Sequence, residues 1–314
     1  MTILITGGAG YLGTVLLELI LANIPEANVI VYDNLMYKQD GIFALLANKR
    51  VRFVYGDVRD YNHLDKYLQQ ADYVIPLAAI VGMPACNKDP RLAEDVNWRQ
   101  LQHIAEDAPY RCRIIVPNTN SGYGQTNDGQ PCTEKSILSP ISVYGQTKCA
   151  GERAVMEAGG EFVSLRLATV FGTSYRFRKD LLVNDFVLKA LTDKYIVLFE
   201  SHFKRNFIHI RDVCMAMCMA ICQWDKFKGQ VFNVGLSSAN LSKLELCHAI
   251  QKFIPFVIKQ DDFTSDADKR NYVVSNDKLE ATGWVPLHSL DDGIQELIKA
   301  YSVFINSNTK YTNL

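Results

Sequence analysis

Nowhere in the 314 residues is there an apolar run of the ~20 residues that a membrane helix needs, so no membrane association is expected. An excess of either charge is missing too. Lys and Arg number 33 against 34 Asp and Glu, a formal net charge of -1. Without a basic surplus to displace counterions, nucleic acid is excluded as a partner. The eight cysteines (86, 112, 132, 149, 214, 218, 222 and 247) form no Cys-x-x-Cys pair and lack the density of a secreted disulfide scaffold. The N-terminal Met1 to Gly7 shows no charged n-region or cleavage site, so reduced thiols and a cytoplasmic location are the expectation. Repeats, low-complexity tracts and linkers are likewise wanting. What remains, 48% hydrophobic and 21% charged, describes an ordinary folded chain.

Short apolar runs at Ile3–Ile5, Val29–Tyr32, Val51–Tyr55, Tyr73–Leu77, Arg113–Val116 and Phe162–Leu167 alternate with helical stretches at 12–21, 91–107 and 141–158. Continuous apolar strands separated by helices suit a parallel sheet covered on both faces. The fold class expected is therefore α/β, a Rossmann-type doubly wound parallel sheet with a smaller α/β C-terminal lobe. Residues 1–172 form the dinucleotide-binding domain and 173–314 the substrate lobe, with segments around 204–235 free to return to the first domain. In that lobe the pattern predicts strands at 195–199, 206–210 and 231–234 and helices at 211–223, 242–252 and 289–305. The polar tail from Asn306 is expected to fray.

Thr6-Gly7-Gly8-Ala9-Gly10-Tyr11-Leu12-Gly13 follows a strand and opens a helix. Glycines at 7, 10 and 13 permit a tight turn, close approach of backbone to a pyrophosphate, and close helix–strand packing. The helix N-terminus then faces the phosphates with free N–H groups. Asp33 lies 20 residues past Gly13, where a carboxylate bonds the adenosine ribose and repels a 2′-phosphate, pointing to NAD. Gly56-Asp57-Val58 closes the third strand and reads equally as an adenine contact or a plain turn.

Tyr144 and Lys148 are four apart near the start of a long helix, hence on one face. An ammonium there favours the phenolate, making Tyr144 a base toward an alcohol that gives hydride to nicotinamide. Thr119, in the strand-end run Asn118 to Gly124, brings a hydroxyl to share that proton. Cys214, Cys218 and Cys222 line one helical face without a second ligand set, so they read as packing and no metal is expected. Cys86 and Cys149 read as inert, His209 as structural.

Together the glycine loop, the strand-end Asp33, Gly56-Asp57-Val58, Leu77-Ala78-Ala79, Thr119 ahead of Tyr123-Gly124, and Tyr144-x-x-x-Lys148 resemble the extended short-chain dehydrogenase/reductase family of nucleotide-sugar enzymes. The resemblance continues through Arg205-Asn206-Phe207-Ile208-His209 and the segment around Asp268-Lys269-Arg270. It implies that NAD is held by Gly7, Gly10, Tyr11, Leu12, Gly13, Asp33, Asn34, Asp57, Val58, Leu77, Ala78, Ala79, Tyr144 and Lys148. It also implies catalysis by Thr119, Tyr144 and Lys148. Arg205 and Arg270 would bind a diphosphate, Asn184 would contact the nucleotide, and the Tyr144 helix with its neighbour would form a homodimer.

Dehydratases of this family carry Thr-Asp-Glu where this chain has Thr119-Asn120-Ser121, so an elimination lacks its acid and base. The family's 3,5-epimerases place Cys where Ser121 stands. Oxidation at sugar C4 remains, ending at the ketone or returning the hydride to the other face as a 4-epimerase does. Pro117 to Gly124, Asp180 to Phe186, Gly235 to Leu241 and Leu279 to Trp284 resemble the GDP-D-glycero-α-D-manno-heptose 4-dehydrogenases of bacterial capsule biosynthesis. That likeness implies a GDP-linked substrate and, as hydride acceptor, 2-oxoglutarate. A non-catalytic NAD-sensing scaffold of the same fold is the remaining alternative, and the intact Tyr144, Lys148 and Thr119 set argues against it.

Overall fold

The structure is a computed structural model that describes residues 1–126, 130–261 and 270–304. Asp268 and Lys269, the last residue of the helix expected to 305, and the tail from Asn306 lie outside the described residues.

Seven strands make the large sheet: β1 (Thr2–Thr6), β2 (Asn28–Asp33), β3 (Val51–Tyr55), β4 (Tyr73–Pro76), β5 (Arg113–Thr119), β6 (Glu161–Leu167) and, from the far half of the chain, β10 (Gln230–Val234). Their order is β10-β6-β5-β4-β1-β2-β3, and every neighbouring pair is parallel. Strands such as Ile3-Leu4-Ile5 and Val74-Ile75 are buried throughout because helices cover both faces. The order reverses between β1 and β4, where a doubly wound sheet opens its crevice.

On one face α1 (Tyr11–Asn23) packs against α8 (Ile210–Cys222), and the Cys214 thiol reaches the Leu12 carbonyl. Cys214 and Cys218 are buried there and Cys222 is exposed. On the other face lie α2 (Tyr61–Leu68), α3 (Met83–Lys88), α4 (Pro90–Glu94), α5 (Gln100–Asp107) and α6 (Val143–Glu157). A π-helical turn, Asp95–Arg99, joins α4 to α5, where the sequence pattern predicts one unbroken helix. Residues 210–234 thus belong to the large sheet's layers, and the chain crosses to the smaller lobe and back.

That lobe holds β7 (Thr169–Phe171), β9 (Lys204–His209) and β11 (Asn240–Ser242) in one sheet and β8 (Tyr195–Phe199) with β12 (Val257–Asp261) in another. Around them pack α7 (Leu182–Thr192), α10 (Lys243–Gln251) and α12 (Leu290–Phe304), while α9 (Trp224–Phe227) and α11 (Asp277–Glu280) pack into the core of the large sheet. A separate apolar core that includes Phe171, Phe186, Leu246, Ile294 and Tyr301 fills it. Among the described residues no helix is long and apolar enough to cross a membrane.

Candidate active site

A cleft of about 790 Å³ runs along the C-terminal edge of the large sheet and under the smaller lobe. At one end is the turn from β1 into α1. Gly7 has φ +66, and a Cβ there would sit 2.5 Å from the Ala78 backbone nitrogen; one at Gly13 would sit 2.5 Å from the Gly8 backbone. Only glycine lets this turn lie so close to the end of β4 and to its own helix. The first turn of α1 carries no acidic residue and no side-chain cap, which leaves its positive end to an incoming phosphate.

Asp33, at the end of β2, accepts from the Ala9 N–H at 3.0 Å, the Leu35 N–H at 2.8 Å and Gln39 Nε2 at 3.1 Å. Burial raises its pKa and these donors oppose the rise. Three donors fill three of roughly four acceptor sites on a carboxylate, leaving one for a ribose hydroxyl. Asp57 accepts from Asn34 Nδ2 at 3.1 Å and pairs with Arg59 at 2.8 Å. The hydrogen bond from Arg59 is the main reason that its pKa falls to about 2. Tyr11, Leu12, Val58, Leu77, Ala78 and Ala79 line the same end of the cleft.

At the other end, α6 starts from a Ser142 cap, whose hydroxyl accepts from the Gly145 N–H, and presents Tyr144 and Lys148 to the cleft. Thr119 lies near enough to the Tyr144 phenol to help lower its pKa. Thr119 Oγ1 donates to Ser121 Oγ at 3.0 Å, and Ser121 also accepts from Arg270 Nη1. The acidity expected of Tyr144 is not what this geometry gives: burial pushes the phenol up to about 12. Arg270 and Arg178 are the cations that oppose the rise, while burial pushes Lys148 down to about 8. Desolvation disfavours the charged form of each group, raising the phenol and lowering the ammonium, so burial opposes the phenolate that the spacing of the pair favours.

Of the residues singled out in the sequence, Asn184 is the one placed elsewhere. It is fully buried, accepts from the Gly172 N–H at 3.1 Å and donates to the Arg178 carbonyl at 2.7 Å. Its amide braces the 172–178 segment and does not line the cleft, because the first turn of α7 faces that segment. Arg205 and Arg270 do line the cleft. Cys86 is buried, donates to the Ile80 carbonyl at 3.3 Å and has its thiol pushed up to about 11 by burial, which keeps it unreactive. His209, Asp212 and His288 form a cluster of metal-ligand types, whose carboxylate and several ring nitrogens are engaged within the protein. Asp212 accepts from the Leu287 and His288 N–H groups and pairs with His288 Nδ1, and His209 pairs with Glu296.

Four further residues contribute to the site. Arg176 and Arg178, on the segment after β7, line the cleft; the sequence marks them only as part of a run of basic and aromatic residues. Asn97 sits in the π-helical turn and holds the loop after β4. Asn118, at the end of β5, lines the cleft with both amide atoms buried and without a partner among the described residues. Such an amide calls for a ligand or water to satisfy it. The glycine cradle, the Asp33 carboxylate and this amide all fit a dinucleotide.

The sequence profile of the NAD dependent epimerase/dehydratase family matches residues 3–235. The low-salt glycan biosynthesis protein Agl12 of Haloferax volcanii is 27% identical over 96% of this chain and 98% of its own. UDP-glucose 4-epimerase of Lacticaseibacillus casei is 26% identical over 95% of each. Among solved structures, UDP-glucuronic acid 4-epimerase from Bacillus cereus, in complex with UDP-glucuronic acid and NAD, is 25% identical. It superposes with a TM-score of 0.83, covering 96% of this chain and 99% of that one.

Proposed function

The chain belongs to the NAD dependent epimerase/dehydratase family, and from that membership we propose that it oxidises a nucleotide sugar at C4 and releases the ketone. GDP-D-glycero-α-D-manno-heptose is the substrate we put first, with 2-oxoglutarate reoxidising the cofactor and a homodimer built through α5 and α6. The observation that carries the reading is the cleft itself. Tyr144, Lys148 and Thr119 share it with a dinucleotide cradle, while the positions at which an elimination needs acid and base hold Asn120 and Ser121. The finer choice of sugar, and the 2-oxoglutarate, rest on the resemblance of the four segments quoted above.

NAD, when bound, supplies the acceptor for the hydride leaving C4. Tyr144, as the phenolate, takes the proton of the C4 hydroxyl, and Thr119 holds the same oxygen so that its O–H points at the phenolate. Lys148, one turn further along α6 and lining the same cleft, would hold the nicotinamide ribose. Arg205, buried on β9, meets the diphosphate, for which a guanidinium offers a fixed pair of donors.

Incubation with GDP-D-glycero-α-D-manno-heptose, NAD and 2-oxoglutarate, followed by mass measurement of the sugar, tests this. Loss of two hydrogens is the expected result. Unchanged mass with an altered sugar spectrum would make the chain a 4-epimerase, a reading that the same residues and the epimerase relatives support. Loss of water would overturn the reading of Asn120 and Ser121.

A further inference from the structure

We propose that Asn118 is a binding residue for the nicotinamide-ribose half of the cofactor, its side-chain amide donating and accepting hydrogen bonds there. The inference rests on the family's use of NAD and is independent of which sugar is oxidised.

Among the described residues, Asn118 and Asn120 are the two side chains whose amide nitrogen and oxygen are both buried and both without a hydrogen-bond partner. Of the two, Asn118 lines the cleft, and it is 3% exposed. Gln100 and Asn276 also hold an unpaired oxygen, but their nitrogens are engaged within the protein. Gln100 Nε2 donates to the Ala78 and Val96 carbonyls, and Asn276 Nδ2 to the Ser237 hydroxyl. A buried amide with both ends stranded destabilises the fold that holds it. A ligand group in the cleft that both donates and accepts offsets that cost.

The strands say which group comes there. Asn118 stands in parallel register with Arg166 on β6, so the two side chains leave the sheet on the same face. Arg166 meets Glu152 of α6, which lies four residues beyond Lys148 and eight beyond Tyr144 on one stripe of that helix. Asn118 therefore faces the helix that brings Tyr144 and Lys148 to the cleft. Asp33 ends β2 and the glycine turn follows β1, so the adenosine and the pyrophosphate of a dinucleotide take that side of the sheet. β4 and then β5 lie on the other side of β1, with β5 about 10 Å away at the usual strand spacing. The second nucleoside crosses β4 to reach Tyr144 and Lys148, and so passes the end of β5. It carries the complement of an asparagine amide twice over: a carboxamide, with its own donor and acceptor, and ribose hydroxyls, which do both.

The test is a binding measurement. The full-length protein, freed of nucleotide, is titrated calorimetrically with NAD, ADP-ribose and ADP. Asn118→Leu, which removes the polar atoms at similar volume, should weaken NAD by about tenfold, the worth of one or two hydrogen bonds, and leave ADP unchanged. ADP-ribose weakened alongside NAD assigns the amide to the ribose hydroxyls, and NAD weakened alone assigns it to the carboxamide; either result supports the proposal. Unchanged NAD affinity, as when a buried water satisfies the amide, overturns it. An equal loss for ADP overturns it too, since the cleft wall itself would then have moved. Asn118→Ala guards against a leucine too large for the site, and must show the same loss of NAD with ADP retained. Because no nucleotide sugar is present, failure here is distinct from failure of the oxidation assay.

Discussion

Asn97 grips the peptide groups of Ile80 from both sides: its Oδ1 accepts from the Ile80 N–H at 2.9 Å and its Nδ2 donates to the Ile80 carbonyl at 3.0 Å. The same Nδ2 reaches Thr147 Oγ1 on α6 at 3.1 Å. One buried amide thus ties the wall of the cofactor end to the helix that carries Tyr144 and Lys148. Asn97→Ala leaves the Ile80 N–H and carbonyl buried without partners, at about 1–3 kcal/mol for each group stranded. The expected outcome is a lower thermal midpoint and NAD lost on gel filtration. NAD retained as in the parent protein would show that the loop holds its shape unaided.

A second buried contact supports α6 from behind. Arg166 on β6 pairs with Glu152 at 2.9 Å, with 7% and 2% of the side chains exposed, and Ser164 also donates to Glu152. Arg166→Met strands a buried carboxylate and should cost about 3–5 kcal/mol. Denaturant unfolding checks this. A loss below 1 kcal/mol would mean that Glu152 finds water or takes up a proton.

Tyr144→Phe should lower oxidation by about 10²–10⁴-fold, the span of a general base, with NAD still bound. In the parent enzyme the base works only when deprotonated, and burial holds its pKa high, at about 12, before the positive charge of the cofactor is added. Turnover should therefore climb with pH through the neutral and mildly alkaline range. A flat profile, measured by the appearance of reduced nicotinamide, would assign the proton to another group.

Glu296 on α12 should make the fold acid-sensitive. Burial works against its charge, but hydrogen bonds from His209 and Thr173 outweigh that and hold its pKa at about 2. A carboxylate depressed in the folded state stabilises fully above its unfolded pKa, about 4.3, and loses that contribution as pH falls toward the folded value. Urea unfolding between about pH 4.5 and 2 should therefore weaken more steeply in the parent than in Glu296→Gln. Equal slopes would show that the pair with His209 is not retained in solution.

The parts of the site visible in the sequence are those made by contiguous residues. The turn from β1 to α1 announces itself because its glycines must be adjacent to work, and Tyr144 with Lys148 because a single helix spaces them. Asn97 was invisible since only a π-helical turn aims it inward, and no periodicity distinguishes such a turn from the helix around it. Asn184 was misplaced for the converse reason: its neighbours match, but the packing of α7 turns the amide toward Gly172. The acidity of Tyr144 depends on burial and on Arg270, 126 residues away in the chain, and neither can be read from local spacing.

The membership of β10 in the large sheet bears on how the protein is made. β6 ends at Leu167, but the strand that covers its outer edge runs from Gln230 to Val234. As the chain leaves the ribosome, a buried-type strand keeps an open row of N–H and carbonyl groups while the next sixty or so residues are still being added. The nascent cofactor domain is thus exposed to mispairing until the smaller lobe has largely emerged, and its yield in a cell depends on that interval being short or chaperoned.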